Sequence, residues 1–159
     1  MTLSEDFKAE AQIRDNKVYL NYESTERPLK VILNYSGNIT YRNELTWDNT
    51  KQSRFIERVL LGLPLGKLYI TRTDLEMYVV DGTQRLMSLF NYYRNELILH
   101  ELSILNLLNN TTFDNVVPSR KKKFLRQSIT LTELDENIDW DLRNNLYKLL
   151  NNEVKTNCI

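Results

Sequence analysis

The spacing of hydrophobic positions changes along the chain and predicts both helices and strands. Within residues 86–93, apolar side chains recur at i, i+3, i+4 and i+7, which is the core-facing stripe of an amphipathic helix. Residues 50–61 carry a second apolar helical face, with Asn49 and Gln52 at the spacing of a capping box and Gly62 at the end. Two helices are therefore predicted in the middle of the chain.

Segments rich in β-branched and aromatic side chains predict strands between and around these helices. Residues 65–70 and 75–80 flank a polar turn, and each is expected to form a strand. Shorter alternating or apolar runs predict three further strands, at 18–22, 31–35 and 129–131.

Three more helices are predicted in the second half of the chain. Leucines spaced along 102–108 indicate one helix, and a short basic helix is expected over 118–126, where a proline stands at the first position. Asp139 is placed to cap a C-terminal helix that carries leucines along 142–150. Strands and helices thus occur in one chain without a visible linker.

Length and composition fit one folded domain. The chain has 159 residues, of which 42% are hydrophobic and 26% charged, so we expect residues 1–159 to form a single α+β domain. Residues 1–15 are charged and weakly periodic, which predicts a loose arm or a short helix. Cys158 is the one cysteine and cannot form an internal disulfide.

Charge and hydropathy limit the binding partners and the cellular location that we expect. Basic and acidic residues both number 21, so the net charge of zero removes the simplest argument for a general nucleic-acid binder. The N-terminus lacks a signal-peptide pattern, and apolar runs fall far short of the roughly 18 residues that a membrane span needs. We therefore predict a cytoplasmic protein with no membrane partner.

The sequence Asp81-Gly82-Thr83-Gln84-Arg85 lies where a predicted strand meets a predicted helix. Gly82 permits a sharp turn, and the backbone N–H groups of 83–85 open the helix, where they attract anions. Arg85 adds a planar donor fork suited to phosphate, and Asp81 could hold a metal ion or orient a water. The alternative is an ordinary turn, with Thr83 as a cap and Arg85 as a solvated charge.

A longer pattern surrounds this motif. The stretch from Trp47, WDNTKQSRFIERVLLGLPLGKLYI, followed by YVVDGTQRLMSLF, resembles the N-terminal domain of the GmrSD-type restriction endonucleases. That family has a Trp, a Lys-x-Ser-x-(Leu/Phe)-Ile-Glu helix, a Leu-Gly-(Ile/Leu)-Pro turn, a strand and then Asp-Gly-Gln-Gln-Arg-Leu. The resemblance covers about residues 38–95 closely, and the tail LRNNLYKLLNNEVKTNCI is similar to a later part of the same domain.

The resemblance implies a ParB/sulfiredoxin-like α+β fold, with a small mixed sheet and packed helices. It also implies a phage-defence or restriction role against foreign, often modified DNA, with nucleoside triphosphate bound and hydrolysed at the Asp-Gly-Gln-Gln-Arg site with Mg²⁺. Carried over by residue, Asp81, Gln84 and Arg85 would be catalytic, Asp81 would hold the metal, and Gly82, Thr83 and Arg85 would bind the nucleotide. Thr83 departs from the family's Gln and keeps only a hydroxyl.

Arg42 is a second departure from the family pattern. The family has Tyr-Gln-Arg-x-x-x-Trp, whereas residues 41–47 read YRNELTW, so the Arg has moved by one place. A one-residue shift in an extended segment turns a side chain to the opposite face. Either a bulge restores Arg42 as a second nucleotide ligand, or this half of the site is degenerate.

The family commonly continues into a His-Asn-His nuclease domain, which this sequence lacks. His100 has no Cys or His partners for a metal site, so we expect a loop histidine and no autonomous DNA cleavage. The expected partners are a nucleotide, a separate nuclease subunit or further copies of the chain.

The rival hypothesis is a degenerate module that binds DNA or a partner protein without catalysis. Its basis is one basic run, Arg120, Lys121, Lys122 and Lys123, which could contact a phosphate backbone or could simply be a solvated face. A fragment of a longer protein is a further alternative. Trp47 is interpreted as a core anchor in preference to a platform for stacked bases.

Overall fold

The computed structural model describes residues 3–19 and 21–156, which form six α-helices and five β-strands. The helices are α1 (Leu3–Tyr19), α2 (Leu29–Leu33), α3 (Asn49–Leu60), α4 (Thr83–Tyr93), α5 (Pro118–Arg126) and α6 (Trp140–Thr156). The strands are β1 (Tyr22–Pro28), β2 (Asn38–Tyr41), β3 (Lys67–Arg72), β4 (Glu76–Asp81) and β5 (Ser128–Leu134).

The five strands form one mixed sheet in the order β1-β5-β3-β4-β2. The pairs β1/β5 and β3/β4 are antiparallel, whereas β5/β3 and β4/β2 are parallel. The β3/β4 pair changes register between Tyr69 and Ile70, close to the end of the sheet at which α4 begins. The predicted α+β class with a small mixed sheet is confirmed.

Helices cover both faces of this sheet. Met77 and Val79 of β4 point into the larger core, which β3, β5 and helices α2 to α5 complete. Val80, the residue after Val79 in β4, faces the opposite side of the sheet and packs with Leu134, Ile138 and α6. Side chains alternate along a strand, so one strand serves both cores. Within the described ranges no helix is both long and apolar enough to cross a bilayer.

Most of the predicted elements are confirmed, and segments with a clear apolar period, such as 50–61, have predicted bounds that lie closest to the observed ones. The helices α3, α4, α5 and α6 and the strands β3, β4 and β5 all lie where the sequence placed them. The cap of α3 differs: Asp48, not Asn49, accepts the N–H of Lys51 at 2.8 Å. The cap of α6 is Asp139 as predicted, since it accepts the N–H of Leu142 at 2.7 Å.

Three predicted elements are wrong. Residues 31–35 do not form a strand. The apolar residues at 29, 32 and 33 have helical spacing, and their side chains form the buried face of the short helix α2. The strand expected at 18–22 starts only at Tyr22, since α1 continues to Tyr19; position 20 lies outside the described residues. Residues 102–108 form a loop with one 3-10 turn at Asn106–Leu108.

The N-terminal segment takes the helical alternative. Helix α1 has 17 residues, and the described side chains at 5–10 and 12–15 are exposed. Cys158 lies outside the described residues.

The loop after α4 is ordered by a carboxylate from α3. Glu57 is buried and accepts the N–H groups of Ile104 and Leu105, both at 2.7 Å, and of Ser103 at 3.3 Å. Burial raises the pKa of the Glu57 carboxyl, but these N–H groups and the Ser103 hydroxyl outweigh it, so the pKa lies below its usual range. The charged carboxylate thus stabilises a segment more than forty residues away in sequence.

We expect Glu57→Gln to lower the free energy of unfolding by about 2 kcal/mol near neutral pH, because an amide cannot replace the charged acceptor. The folded pKa of Glu57 is lowered, so its stabilisation is complete above the usual carboxyl pKa of about 4.3 and is lost as pH falls through the folded pKa. Urea unfolding of wild type and variant from about pH 7 to about pH 3 measures both effects.

The matched control is Glu96→Gln, which changes an exposed carboxylate in the neighbouring segment. Its free energy of unfolding should stay within about 0.5 kcal/mol of wild type. A difference between wild type and Glu57→Gln that stays constant across the acid range would contradict the role assigned to the carboxylate.

Candidate functional site

A cleft of about 510 Å³ opens at the N-terminus of α4. Its walls are residues 81–85, then Asn43, Thr46 and Trp47 of the β2–α3 loop, and Tyr147 and Asn151 of α6. The motif is therefore joined in space by two segments that are distant in sequence. A hollow of about 570 Å³ beside the β3–β4 turn contains none of the motif residues, and it is more open to solvent.

Gly82 makes the turn from β4 into α4. Its φ of 106° lies in the left-handed region, and a Cβ there would collide with the side chain of Leu68. The N–H of Leu86 bonds to the carbonyl oxygen of Gly82 at 2.9 Å, so the helix starts at once and the N–H groups of 83–85 belong to its first turn. The predicted strand-to-helix junction is confirmed.

Arg85 is bound to the backbone that leads into β3. Its Nη1 donates to the carbonyl oxygen of Leu65 at 2.9 Å, and its Nη2 donates to that of Lys67 at 2.7 Å. Gly66 lies between these two residues at φ 80°, and a Cβ on it would collide with the guanidinium. The side chain is only 21% exposed, so Arg85 is not a solvated surface charge.

Asp81 faces this guanidinium. Its Oδ2 lies 3.6 Å from Nη2 of Arg85, and its Oδ1 accepts the side-chain amide of Asn151 at 3.1 Å. Burial and the nearby charge of Arg58 lower the pKa of Arg85, whereas the carboxylate of Asp81 raises it. Burial is the largest effect, so the pKa of Arg85 lies below its usual value. Among the described residues no three His, Cys, Asp or Glu side chains come together as a metal site.

Gln84 binds the opposite wall of the cleft. Its Oε1 accepts the N–H groups of Thr46 at 2.8 Å and Trp47 at 3.1 Å, and its Nε2 donates to the carbonyl oxygen of Glu44 at 2.7 Å. All the polar atoms of this amide are thus engaged with the loop at 44–47. Trp47 packs edge-on against Phe55, with ring centroids 5.8 Å apart, while still lining the cleft.

Arg42 lies over the ring of Tyr147, with Cζ 3.7 Å from the centroid. Within the described residues its buried Nε and Nη1 atoms have no hydrogen-bond partner. Asn43, which holds the position of the family's Arg, lines the cleft and donates to the Tyr147 hydroxyl at 3.4 Å. Both residues therefore meet α6, whereas Thr83 is buried at the helix start.

The basic run lies elsewhere. Arg120 donates to the carbonyl oxygen of Leu60 at 3.3 Å, and Lys121 pairs with Asp114 at 3.1 Å. Lys122 and Lys123 are exposed on α5, across the sheet from α6 and outside the cleft lining. The four residues are thus not part of the motif site.

His100 lies in a loop, as the sequence suggested. Its backbone N–H donates to the Ser53 hydroxyl at 3.2 Å, and its Nε2 lies 3.4 Å from the Thr50 hydroxyl. These contacts join the loop to the start of α3.

Sequence reasoning missed three residues that line the cleft and one, Gly66, that packs against Arg85. Tyr147 and Asn151 are one helical turn apart on α6 and read as ordinary polar positions of an amphipathic helix. Asn43 is one of many asparagines. Gly66 had a local signal, because it stands between two predicted structural elements, but its contact with Arg85 depends on the tertiary fold.

A protein-family model described as "GmrSD restriction endonuclease, N-terminal domain" matches residues 40–158. No curated protein and no solved structure matches the chain. The match includes the end of β2, the β2–α3 loop, the motif and α6, and so covers every segment that lines the cleft.

We expect Arg85→Lys to lower the free energy of unfolding by about 1–3 kcal/mol, because a single ammonium cannot serve both carbonyl oxygens in the fixed geometry of a guanidinium. Arg58→Lys is the matched control, since Arg58 also donates to a backbone carbonyl, that of Pro64 at 3.0 Å, but from an exposed position. Urea unfolding of both variants should separate them, and equal losses would contradict a special role for Arg85.

We expect Gln84→Ala to raise the hydrogen-exchange rates of the Thr46 and Trp47 amides by about tenfold or more, because both lose their acceptor. Gln84→Glu keeps an acceptor for these amides but loses the donor to Glu44, so its rates should be intermediate. Amide exchange followed by mass spectrometry or NMR provides the measurement. Unchanged rates in Gln84→Ala would mean that the loop holds its own conformation.

Proposed function

The chain belongs to the GmrSD restriction endonuclease N-terminal domain family, and we propose that its cleft binds a nucleoside triphosphate in a restriction system directed at foreign DNA. The observation that carries the proposal is the first turn of α4 at the cleft, next to the fixed charge of Arg85, with the unpartnered guanidinium nitrogens of Arg42 over Tyr147 of the cleft wall. Phage defence is the biological setting that fits this activity.

The first turn of α4 is suited to a phosphate group. The N–H groups of 83–85 carry the positive end of the helix dipole, and Gly82 has no side chain to screen them. A cleft of about 510 Å³ lies in the range that encloses small ligands. We assign the terminal phosphates to this end of the cleft.

Arg42 supports a second phosphate contact. Burying charged donors without partners costs free energy, and within the described residues neither Nε nor Nη1 finds an acceptor. A phosphate oxygen would be a charged acceptor for one of them. Of the two alternatives for Arg42, we therefore propose the functional one, in which Asn43 lines the cleft and Arg42 approaches from the side of Tyr147.

Asp81 is the residue that we propose for Mg²⁺ or for an attacking water. A carboxylate has about four acceptor sites, and Asn151 and Arg85 face only part of them. Mg²⁺ in such sites is held by one or two carboxylates plus the substrate phosphates, so a single Asp81 suffices. The ion would supply neutralisation of the phosphate charge.

Gln84 and Arg85 act in this proposal by holding the cleft in shape. Gln84 fixes the loop that carries Trp47, and Arg85 fixes the entry to β3 while keeping a positive charge beside Asp81. A preorganised charge of this kind stabilises the transferring phosphoryl group without moving during the reaction.

We expect Arg42→Ala to weaken the binding of nucleoside triphosphate by about 10- to 100-fold, because it removes one or two charge-assisted hydrogen bonds. Titration calorimetry with each of the four ribonucleoside triphosphates and Mg²⁺ measures the affinity of the purified chain. Asp81→Asn should bind with a smaller dependence on Mg²⁺ and should lose hydrolysis.

Arg143→Ala is the matched control. Arg143 also lies over a tyrosine, with Cζ 4.7 Å from the Tyr78 ring, and its buried Nε has no hydrogen-bond partner in the described part of the chain. Tyr78 is not part of the cleft lining, whereas Tyr147, the ring under Arg42, is, so Arg143→Ala should bind triphosphate as tightly as wild type. No binding of any triphosphate by wild type would overturn the proposal and leave the non-catalytic module.

A further inference from the structure

The loop after α4 exposes an apolar groove of about 340 Å³ that the proposed function does not use. Ile104, Leu107 and Val117 line it, and their side chains are 67%, 92% and 63% exposed. Leu105 and Leu108 are packed against the core and form its floor. Adjacent exposed apolar side chains around a concave surface typically mark an interaction site.

Hydrogen bonds order the backbone of the loop that forms the groove. Glu57 binds the N–H groups of 103–105, and Leu99 exchanges backbone hydrogen bonds with Asn110 and Thr111 across the loop. The backbone that carries the exposed Ile104 and Leu107 is thus fixed, and their side chains stay exposed. A preformed apolar surface lowers the conformational entropy lost on binding.

A basic helix borders one side of the groove. Arg120 lines it, and helix α5 continues from there with Lys122, Lys123 and Arg126 exposed. Seven consecutive residues, 120–126, hold five positive charges in a chain of zero net charge. This border favours an occupant that combines an apolar side chain with carboxylates.

The same chain carries a surface segment with that chemistry. Trp140, at the start of α6, is 68% exposed, and the exposed carboxylates Glu136, Asp139 and Asp141 surround it in sequence. From 127 to 142 there are five acidic residues and no basic residue. Tryptophan is among the side chains that are most enriched at the energetic hot spots of protein interfaces.

These two surfaces cannot meet within one copy. Strand β5 connects them and spans 128–134, which is about 20 Å of extended chain. Phe124 of α5 packs in the larger core and Ile138 in the smaller one, so the surfaces also lie on opposite sides of the sheet.

We propose that the chain self-associates, with Trp140 of one copy seated in the apolar groove of another and its carboxylates paired with Lys122, Lys123 and Arg126. The fit rests on apolar shape together with opposite charge, both present on the surface of one molecule. Reciprocal insertion closes a two-fold dimer, and one-way insertion extends a chain of copies. Both arrangements depend on the same residues and do not depend on nucleotide binding.

The test is sedimentation velocity or light scattering of the purified chain from about 1 μM to about 500 μM, the range of weak interfaces. We expect mass to rise with concentration, Trp140→Ala to weaken the association by about tenfold or more, and salt near 1 M to weaken it as well. Leu75→Ala is the matched control, because Leu75 is equally exposed but lies in the β3–β4 turn.

Charge reversal makes the test specific. One variant carries Lys122→Glu with Lys123→Glu, the other Glu136→Lys with Asp141→Lys, and each should be monomeric alone because like charges then face one another. Mixing the two restores opposite charges and should restore association, which a folding defect would not do. Asp139 is left unchanged because it caps α6.

Three results would overturn the proposal: a wild-type chain that stays monomeric throughout, an association that ignores Trp140→Ala, or a mixture of reversed variants that remains monomeric. A monomer whose α5 binds anionic vesicles of phosphatidylcholine and phosphatidylserine, or duplex DNA, would overturn it too and assign the basic border to lipid or nucleic acid.

Discussion

The guanidinium of Arg85 occupies a space that exists because Gly66 and Gly82 have no side chains. From there it binds two carbonyl oxygens at the entry to β3 and faces the carboxylate at the end of β4. Three segments that must meet at one point, the start of β3, the end of β4 and the first turn of α4, are thereby joined by one rigid group. The apolar cores on both faces of the sheet presuppose this geometry, because β3 and β4 contribute side chains to each of them.

The other motif residues extend the same arrangement outward. Gln84 binds the backbone of the β2–α3 loop with all the polar atoms of its amide, and Asp81 reaches α6 through Asn151. The five consecutive residues therefore contact the other two segments that line the cleft, the β2–α3 loop and α6. The proposed binding and the shape of the cleft would depend on the same short stretch of sequence, so a substitution in it would alter both together.

Much of the fold could be predicted, because apolar side chains recur with a clear helical period along segments such as 50–61 and 86–93. The apolar run at 31–35 was too short for the spacing of its side chains to distinguish a helix from a strand. The loop at 102–108 depends on Glu57, which has no local signal because it acts across the tertiary fold. Likewise the motif at 81–85 was found as a contiguous string, whereas Tyr147 and Asn151 join it only because α6 packs across β4.

Helix α6 covers its face of the sheet and contacts the cleft region through Asn151 with Asp81 and through Tyr147 with Asn43 and Arg42. The docking of α6 and the occupancy of the cleft are therefore thermodynamically linked. Any molecule that binds Asp81 or Arg42 competes with or reinforces the contacts that hold the helix, and the helix changes the affinity for that molecule by the same factor. Trp140 stands at the opposite end of α6, so the helix connects the cleft to a distant part of the surface.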